Sequence, residues 1–232
     1  MGKNTFTSMK ILESKSLVIH ASGANIVGHL HIPENHKGLV VFSHGSGSSR
    51  FSPRNRFVSE LLNQHGFATF LVDLLTEQED IDETKRFDIS LLTHRLLDVV
   101  QFFMDDTEMR FNRIALFGAS TGAASALRVA ALLGDDVFAV VSRGGRPDLA
   151  YDALDAVISP TLLIVGGDDS LILGLNKRAM MRLRCEKKLV VVPRATHLFE
   201  ERGAMEMVAR ESIAWFELCL QDKDIRNAFS KS

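Results

Sequence analysis

Short, continuous apolar runs alternate with helical segments along most of this 232-residue chain. An apolar run without polar alternation is typical of a parallel strand that is buried on both faces, and parallel strands are joined by helical crossovers. The pattern therefore predicts a single α/β domain with a mostly parallel sheet and helices on both faces. The expected strands span residues 38–42, 68–72, 113–117, 137–141, 161–165 and 188–192.

Two further apolar runs, residues 17–20 and 27–32, flank a turn at residues 22–25. This arrangement predicts an antiparallel hairpin at the edge of the sheet. We expect the domain to span residues 17–222, with an N-terminal extension (residues 1–16) and a C-terminal tail (223–232). Helical spacing of apolar residues predicts helices near 53–65, 86–104, 123–133 and 201–221.

The segment Gly118-Ala119-Ser120-Thr121-Gly122 joins one of these predicted strands to a helix. A G-x-S-x-G sequence in that setting indicates a sharp turn with the serine at its apex and small residues two positions away on either side. The turn exposes the serine hydroxyl at the carboxyl edge of the sheet, in front of a helix N-terminus that favours negative charge. We interpret Ser120 as a nucleophile.

Composition excludes several classes of function. Acidic and basic residues are mixed, with a net charge of −2, which argues against a nucleic-acid surface. No apolar run resembles a signal peptide or a membrane span. Cys185 and Cys219 have no metal or redox spacing, so we expect both to be reduced, in helices, in a cytoplasmic protein that uses no metal or cofactor.

A serine nucleophile needs a base, and the base needs an orienting acid. In folds with this elbow the three residues occur in the chain order serine, acid, histidine. His197, which follows the last predicted strand, is the only histidine after His94 and is therefore the predicted base. The acid lies in the turn after residues 161–165, where the residue pattern alone leaves Asp168 and Asp169 as alternatives.

The loop of residues 43–49 is rich in glycine and serine and follows the strand that ends at Phe42. Its backbone N–H groups suit the oxyanion that forms when serine attacks a carbonyl. The predicted donors are the amides of Thr121 and Ser46. A phosphate-binding loop is the alternative, but the chain contains neither G-x-x-x-x-G-K-[ST] nor G-x-G-x-x-G. We expect His44 to shape this loop, with a contact to substrate as the alternative.

From about residue 17 to 220 the chain resembles the α/β-hydrolases, and within them the small, lidless dienelactone-hydrolase-like branch. The resemblance rests on the His44-Gly45 loop, the elbow at Ser120 and the turns before Asp169 and His197. It implies that Asp169 is the acid, from the family's G-x-x-D turn. Dienelactone hydrolases proper carry a cysteine nucleophile, so Ser120 favours a general serine esterase.

The predicted substrate is a small ester, or a thioester or lactone, that reacts through an acyl-enzyme. Fewer than twenty residues, 142–160, connect the predicted strands 137–141 and 161–165, which leaves no room for a lid. Arg143, at the carboxyl end of its strand, could bind a substrate carboxylate or pair with the acidic loop of residues 73–84; we favour the ion pair. Alternatives are a peptidase or acyltransferase with the same triad, and a non-catalytic binding protein. The sequence leaves the oligomeric state open.

Overall fold

A computed structural model describes residues 11–109 and 111–229 of the chain. Its sheet has eight strands in the order β1-β2-β4-β3-β5-β6-β7-β8. Their bounds are β1 Ile11–Ala21, β2 Ala24–Pro33, β3 Leu39–Ser43, β4 Ala68–Val72, β5 Ile114–Ala119, β6 Val137–Arg143, β7 Thr161–Gly166 and β8 Lys187–Val192.

The sheet is parallel from β4 to β8 and antiparallel at one edge. Strand β2 runs antiparallel to both β1 and β4, and every remaining neighbouring pair is parallel. Strands β3, β4, β5, β6 and β7 are buried along their whole length, which explains their continuous apolar sequences. The predicted fold class is therefore confirmed, including the N-terminal hairpin.

Helices cover both faces of the sheet. They are α1 Pro53–Gln64, α2 Glu83–Arg86, α3 Ile89–Asp105, α4 Thr121–Leu133, α5 Ser170–Arg182 and α6 Ala204–Phe229. One apolar cluster lies between the sheet and α3, α4 and α5, and a second lies between the sheet and α1 and α6. Within the residues described, no helix is both long and apolar enough to span a bilayer.

Several predicted boundaries differ from the structure. Strand β1 begins at Ile11, inside the expected N-terminal extension, whereas residues 1–10 lie outside the described residues. Most side chains of β1 up to Leu17 are exposed, so the first part of this edge strand lacks the apolar alternation by which a strand is predicted. Helix α6 continues to Phe229, into the expected C-terminal tail, and residues 230–232 of that tail are outside the described part.

No bounds were predicted for helix α5, although a helix was expected at Cys185. The helix contains Gly174 and exposes Leu171 and Met181, so its apolar residues do not form a clear stripe. Cys185 lies beyond its end, in the connection to β8, and not in a helix as expected. Neither cysteine forms a disulfide in the described part of the chain, and Cys219 is buried in α6.

The acidic loop after β4 is anchored by Arg95 of α3. Its guanidinium donates to both carboxylate oxygens of Glu79, at 2.6 and 2.7 Å, and to the carbonyl of Leu74 at 2.8 Å. Arg95 is 2% exposed, so Glu79 neutralises a buried cation. The hydrogen bonds from Arg95, and secondarily those from Thr76, lower the pKa of Glu79 from 4.5 to about 2.

We expect Glu79→Gln to lower the free energy of unfolding by about 3 kcal/mol, because it leaves Arg95 buried without a counter-charge. The carboxylate has a lower pKa in the folded state than in the unfolded state, so its contribution is fully present above pH 4.5. It is lost as pH falls toward 2. Urea unfolding followed by circular dichroism at neutral pH and at pH 3 measures the difference between variant and wild type, which should shrink on acidification.

The matched control is Asp80→Asn in the same loop. Asp80 pairs with the more exposed Arg86, so we expect a loss below about 1 kcal/mol. Equal losses in the two variants, or a Glu79→Gln deficit that is independent of pH, would contradict the role given to Glu79.

Candidate active site

Ser120 lies at the apex of a strained turn between β5 and α4. Its backbone angles are φ 51° and ψ −119°, in a region that residues with a side chain rarely occupy. The neighbouring glycines make the turn possible: a Cβ at Gly118 would lie 2.4 Å from the Cα of Ala123, and one at Gly122 would lie 2.3 Å from the carbonyl oxygen of Ser43. The chain therefore needs small residues on both sides of Ser120, as the elbow sequence predicts.

Three side chains from separate loops form a hydrogen-bonded chain. The Nδ1 of His197 lies 2.7 Å from Oδ2 of Asp169, and its Nε2 lies 3.3 Å from Oγ of Ser120. Asp169 is 14% exposed and His197 is 38% exposed, so the acid is shielded while the base can be reached from solvent. The structure thus brings together Ser120, Asp169 and His197 at the carboxyl edge of the sheet.

Helix α5 explains why Asp169, and not Asp168, faces the histidine. Asp169 is the N-cap of this helix, and its Oδ1 accepts a hydrogen bond from the amide of Ile172 at 3.3 Å. The cap directs Oδ2 toward His197. Asp168 is exposed, its backbone amide donates to the carbonyl of Ala195 at 3.0 Å, and its side chain has no hydrogen bond to another described residue.

The amide of Ser46 is already hydrogen-bonded. It donates to Oγ1 of Thr121 at 2.9 Å, so a bond to an oxyanion would have to replace this one, and the role of Ser46 as an oxyanion donor stays a prediction. The Thr121 hydroxyl accepts this bond and retains its own proton for donation. The backbone amide of Thr121 is the first of helix α4, a position that has no acceptor within a helix.

His44 is held in this loop by both of its ring nitrogens, as expected for a residue that shapes the loop, and a contact to substrate stays a prediction. Its Nε2 accepts a hydrogen bond from the amide of Leu74 at 3.2 Å, which places the proton on Nδ1. Nδ1 is 2.9 Å from the carbonyl oxygen of Gly45, to which it donates. The ring is 7% exposed and joins the end of β3 to the segment after β4.

The side chain of Arg143 does not pair with the acidic loop, so that prediction is wrong. It enters the layer between the sheet and α1, where it donates to Oδ1 of Asn55 at 3.4 Å and lies 5.7 Å from the ring centre of Phe199. Burial, and secondarily the charge of Arg54, lowers the pKa of Arg143 to about 10, so it remains a cation at neutral pH. Binding of a substrate carboxylate by Arg143 stays a prediction.

The backbone around Arg143 supports the nucleophile, which the sequence did not reveal. The amide of Ser120 donates to the carbonyl of Arg143 at 3.2 Å, and the amide of Arg146 donates to the carbonyl of Ser120 at 3.0 Å. Asn176 of α5 donates to the carbonyl of Gly145 at 3.0 Å. These bonds hold the elbow between β6 and α5.

The segment between β6 and β7 forms no lid. Residues 144–160 contain two short 3₁₀ turns, Pro147–Ala150 and Leu154–Ala156. Among the residues with defined placement, no group of three or more His, Cys, Asp or Glu side chains could hold a metal ion.

Comparisons with known proteins bear on the family and the fold of the chain. A sequence model of the dienelactone hydrolase family matches residues 26–218. The crystal structure of a dienelactone hydrolase from Anabaena variabilis is 45% identical, with a TM-score of 0.85 over 88% of this chain and 97% of that chain. Est1E from Butyrivibrio proteoclasticus is 18% identical, with a TM-score of 0.75 over 89% of this chain and 99% of its own, and shares the fold.

A curated relative from Mycobacterium tuberculosis, which carries a provisional phosphoribosyl transferase name, is 50% identical over 205 residues. The match covers 88% of this chain and 46% of the relative, so the chain spans about half the length of that protein. The family match and the Anabaena structure both extend over most of the chain. The chain therefore belongs to the dienelactone hydrolase family and has the α/β-hydrolase fold.

Proposed function

We propose that this chain is a serine hydrolase that cleaves carboxylic esters through an acyl-enzyme on Ser120. The observation that carries the proposal is the hydrogen-bonded chain from Asp169 through His197 to Ser120. The order and geometry of these groups are those required for proton transfer from a hydroxyl to an imidazole that a carboxylate orients. The 3.3 Å between Nε2 and Oγ can shorten when substrate binds.

The reaction has two halves. In the first, Nε2 of His197 takes the Ser120 proton while Oγ attacks the ester carbonyl, and the same proton then passes to the departing alkoxide. In the second, His197 removes a proton from water, the resulting hydroxide attacks the acyl-enzyme, and the proton returns to Oγ of Ser120 as the acid leaves. Asp169 remains ionised and stabilises the imidazolium in both halves.

Ester hydrolysis suits an open site. His197 is partly exposed and no lid covers the edge, so water can reach the acyl-enzyme. We therefore favour small oxygen esters, with thioesters and lactones as further substrates, over peptidase or acyltransferase activity with the same triad. We do not extend the phosphoribosyl transferase name to this chain, because the match covers less than half of that relative.

Purified protein and p-nitrophenyl acetate test the proposal. We expect turnover, and one fluorophosphonate label per chain, located on Ser120. A panel of short-chain oxygen esters, thioesters and lactones then ranks the substrate classes by kcat/KM. Absence of turnover on the whole panel, together with an unlabelled Ser120, would refute a serine hydrolase and favour a non-catalytic binding protein.

Thr121 gives a second test of the mechanism. We expect its amide and its hydroxyl both to donate to the oxyanion, with the Ser46 amide bonded to the hydroxyl from behind. Thr121→Val, which removes only the hydroxyl from a side chain of the same shape, should lower kcat about 10²-fold, the loss typical of one oxyanion donor. Thr121→Ser should stay within a few fold of wild type.

Steady-state kinetics of both variants on p-nitrophenyl acetate measure this difference. A Thr121→Val enzyme as fast as wild type would mean that the hydroxyl binds the Ser46 amide when no substrate is present and does not donate to the oxyanion. The oxyanion would then accept directly from Ser46, as the sequence predicts.

A further inference from the structure

A cavity lies at the antiparallel edge of the sheet, away from the triad. It has a volume of about 450 Å³ and is enclosed by β2, α1 and the loop before α1. None of the residues that line it belongs to the hydrogen-bonded chain of Ser120. Strand β2 lies between β4 and the largely exposed edge strand β1. Helix α1 covers only part of the sheet here, which leaves the cavity open to solvent.

The cavity wall on β2 consists of His29 and His31. They are two residues apart on one strand and therefore point to the same face. Nε2 of His29 accepts a hydrogen bond from Nε of Arg50 at 3.4 Å, which leaves the proton on Nδ1. Nδ1 of His31 lies 3.0 Å from the hydroxyl of Ser14.

Helix α1 supplies the opposite wall. Arg56, Glu60 and Gln64 follow one another at intervals of four residues, so they form one line along the helix. In the described part of the chain the guanidinium of Arg56 has no hydrogen bond or ion pair with a carboxylate. Glu60, one turn away, is the single carboxylate among the described residues that line the cavity.

Arg50 and Phe51 lie between the two walls. The guanidinium of Arg50 donates to Oδ2 of Asp73, whose Oδ1 accepts from the Arg50 backbone amide, so the charge of Arg50 is matched. The charge of Arg56 has no direct partner among the described residues. The Phe51 ring is 53% exposed, lies under the Arg50 guanidinium at 4.2 Å and meets the His29 ring edge-on at 5.3 Å. A planar apolar surface thus adjoins a set of N–H donors.

The charges around the two histidines favour an anion over a cation. Burial, then Arg50 and more weakly Arg56, lowers the pKa of His29, against an opposing effect of Asp73. Burial, then His29 and Arg56, lowers the pKa of His31, against an opposing effect of Glu60. Both rings are therefore neutral donors at neutral pH, and the nearby arginines disfavour a metal ion bound to them.

We propose that this cavity binds a small organic anion, with its phosphate or carboxylate group held by Arg56 and the two histidines and its planar body against Phe51. A guanidinium and imidazole N–H groups are the donors that such oxyanions accept from. The site is separate from the proposed catalytic centre and does not depend on the esterase activity.

The test uses proton NMR titration of the histidine C2–H signals, assigned with single His→Gln variants, in the presence and absence of phenyl phosphate. A bound dianion stabilises the imidazolium, so we expect the pKa of His29 and of His31 to rise by about one unit, while those of His94 and His197 stay unchanged. Phenyl phosphate should bind more tightly than inorganic phosphate at equal ionic strength, and phenol should have no effect.

Arg56→Gln should weaken phenyl phosphate binding about tenfold, as expected for the loss of a charge-assisted hydrogen bond. It should also raise the pKa of both histidines without ligand, because it removes a neighbouring cation. The matched control is Arg178→Gln, which removes the same charge from the exposed face of α5 and should leave binding unchanged.

Three results would each overturn the proposal. In the first, phenyl phosphate shifts only His197, which would place it at the catalytic site. In the second, the two arginine variants lose affinity equally, which would indicate non-specific attraction. In the third, inorganic phosphate binds as tightly as phenyl phosphate, which would remove the role of Phe51.

Discussion

Ser120→Ala should lower kcat for p-nitrophenyl acetate by about 10⁶-fold, leaving only the rate enhancement from the oxyanion donors and substrate binding. Among the described residues, Oγ of Ser120 has one hydrogen-bond partner, Nε2 of His197 at 3.3 Å, and the elbow backbone is held by its own hydrogen bonds. Alanine retains the Cβ at the same positive φ, so the strain of the turn is unchanged. We therefore expect the variant to fold as the wild type does.

Stopped-flow and steady-state assays measure the loss, and circular dichroism with thermal melting checks the fold. The control is Ser90→Ala, at an exposed position on α3, which should have wild-type kinetics. Near wild-type turnover by Ser120→Ala, or a fluorophosphonate adduct at another residue, would contradict the assignment of the nucleophile.

Asp169→Asn should lower kcat by about 10⁴-fold, whereas Asp168→Asn should remain close to wild type. The size of the first effect follows the serine-protease precedent, in which asparagine leaves the geometry intact but stabilises the wrong histidine tautomer. Asparagine is the informative substitution here because Asp169 also caps α5 through Oδ1, and asparagine is an equally good N-cap. A loss of activity therefore reports on the bond to His197 and not on the helix.

The same assay on Asp169→Ala separates the two roles. It should lose activity similarly and in addition lose about 1 kcal/mol of stability with the cap. If Asp168→Asn were instead the inactive variant, the acid would be the neighbouring residue, and the 2.7 Å contact between Asp169 and His197 would not be the catalytic one.

Site features that depend on neighbouring residues could be predicted from the sequence, whereas those that depend on contacts between distant residues could not. The turn at Ser120 depends on glycines two residues away, so five consecutive residues contain its whole geometric requirement. The bond from Ser46 to Thr121 joins residues 75 apart, and the contact of Arg143 with Asn55 joins residues 88 apart. No periodicity records such contacts, so the bond of the Ser46 amide and the partner of Arg143 could not be predicted from sequence.

The missed elements have a similar cause. Strand β1 is an edge strand that is largely exposed up to Leu17, and helix α5 has Gly174 in its interior and exposed Leu171. Both elements form because of neighbours, β2 in one case and β7 with β8 in the other, and not because of a strong local pattern. The helix matters for function, since its N-cap is the carboxylate that faces His197.

The sequence by itself determined the fold class, the elbow at Ser120 and the single downstream histidine, because burial on both faces of a parallel strand and the steric demands of a tight turn appear directly in residue order. The residue pattern alone did not distinguish Asp168 from Asp169 as the acid, and the family resemblance implied Asp169. Only the tertiary structure gave the physical reason, because helix α5 uses one oxygen of Asp169 as its cap and directs the other to His197. It likewise decided that Arg143 contacts Asn55 and that Glu79 neutralises the buried Arg95, since the partners of a buried side chain are those that the packed layers bring near.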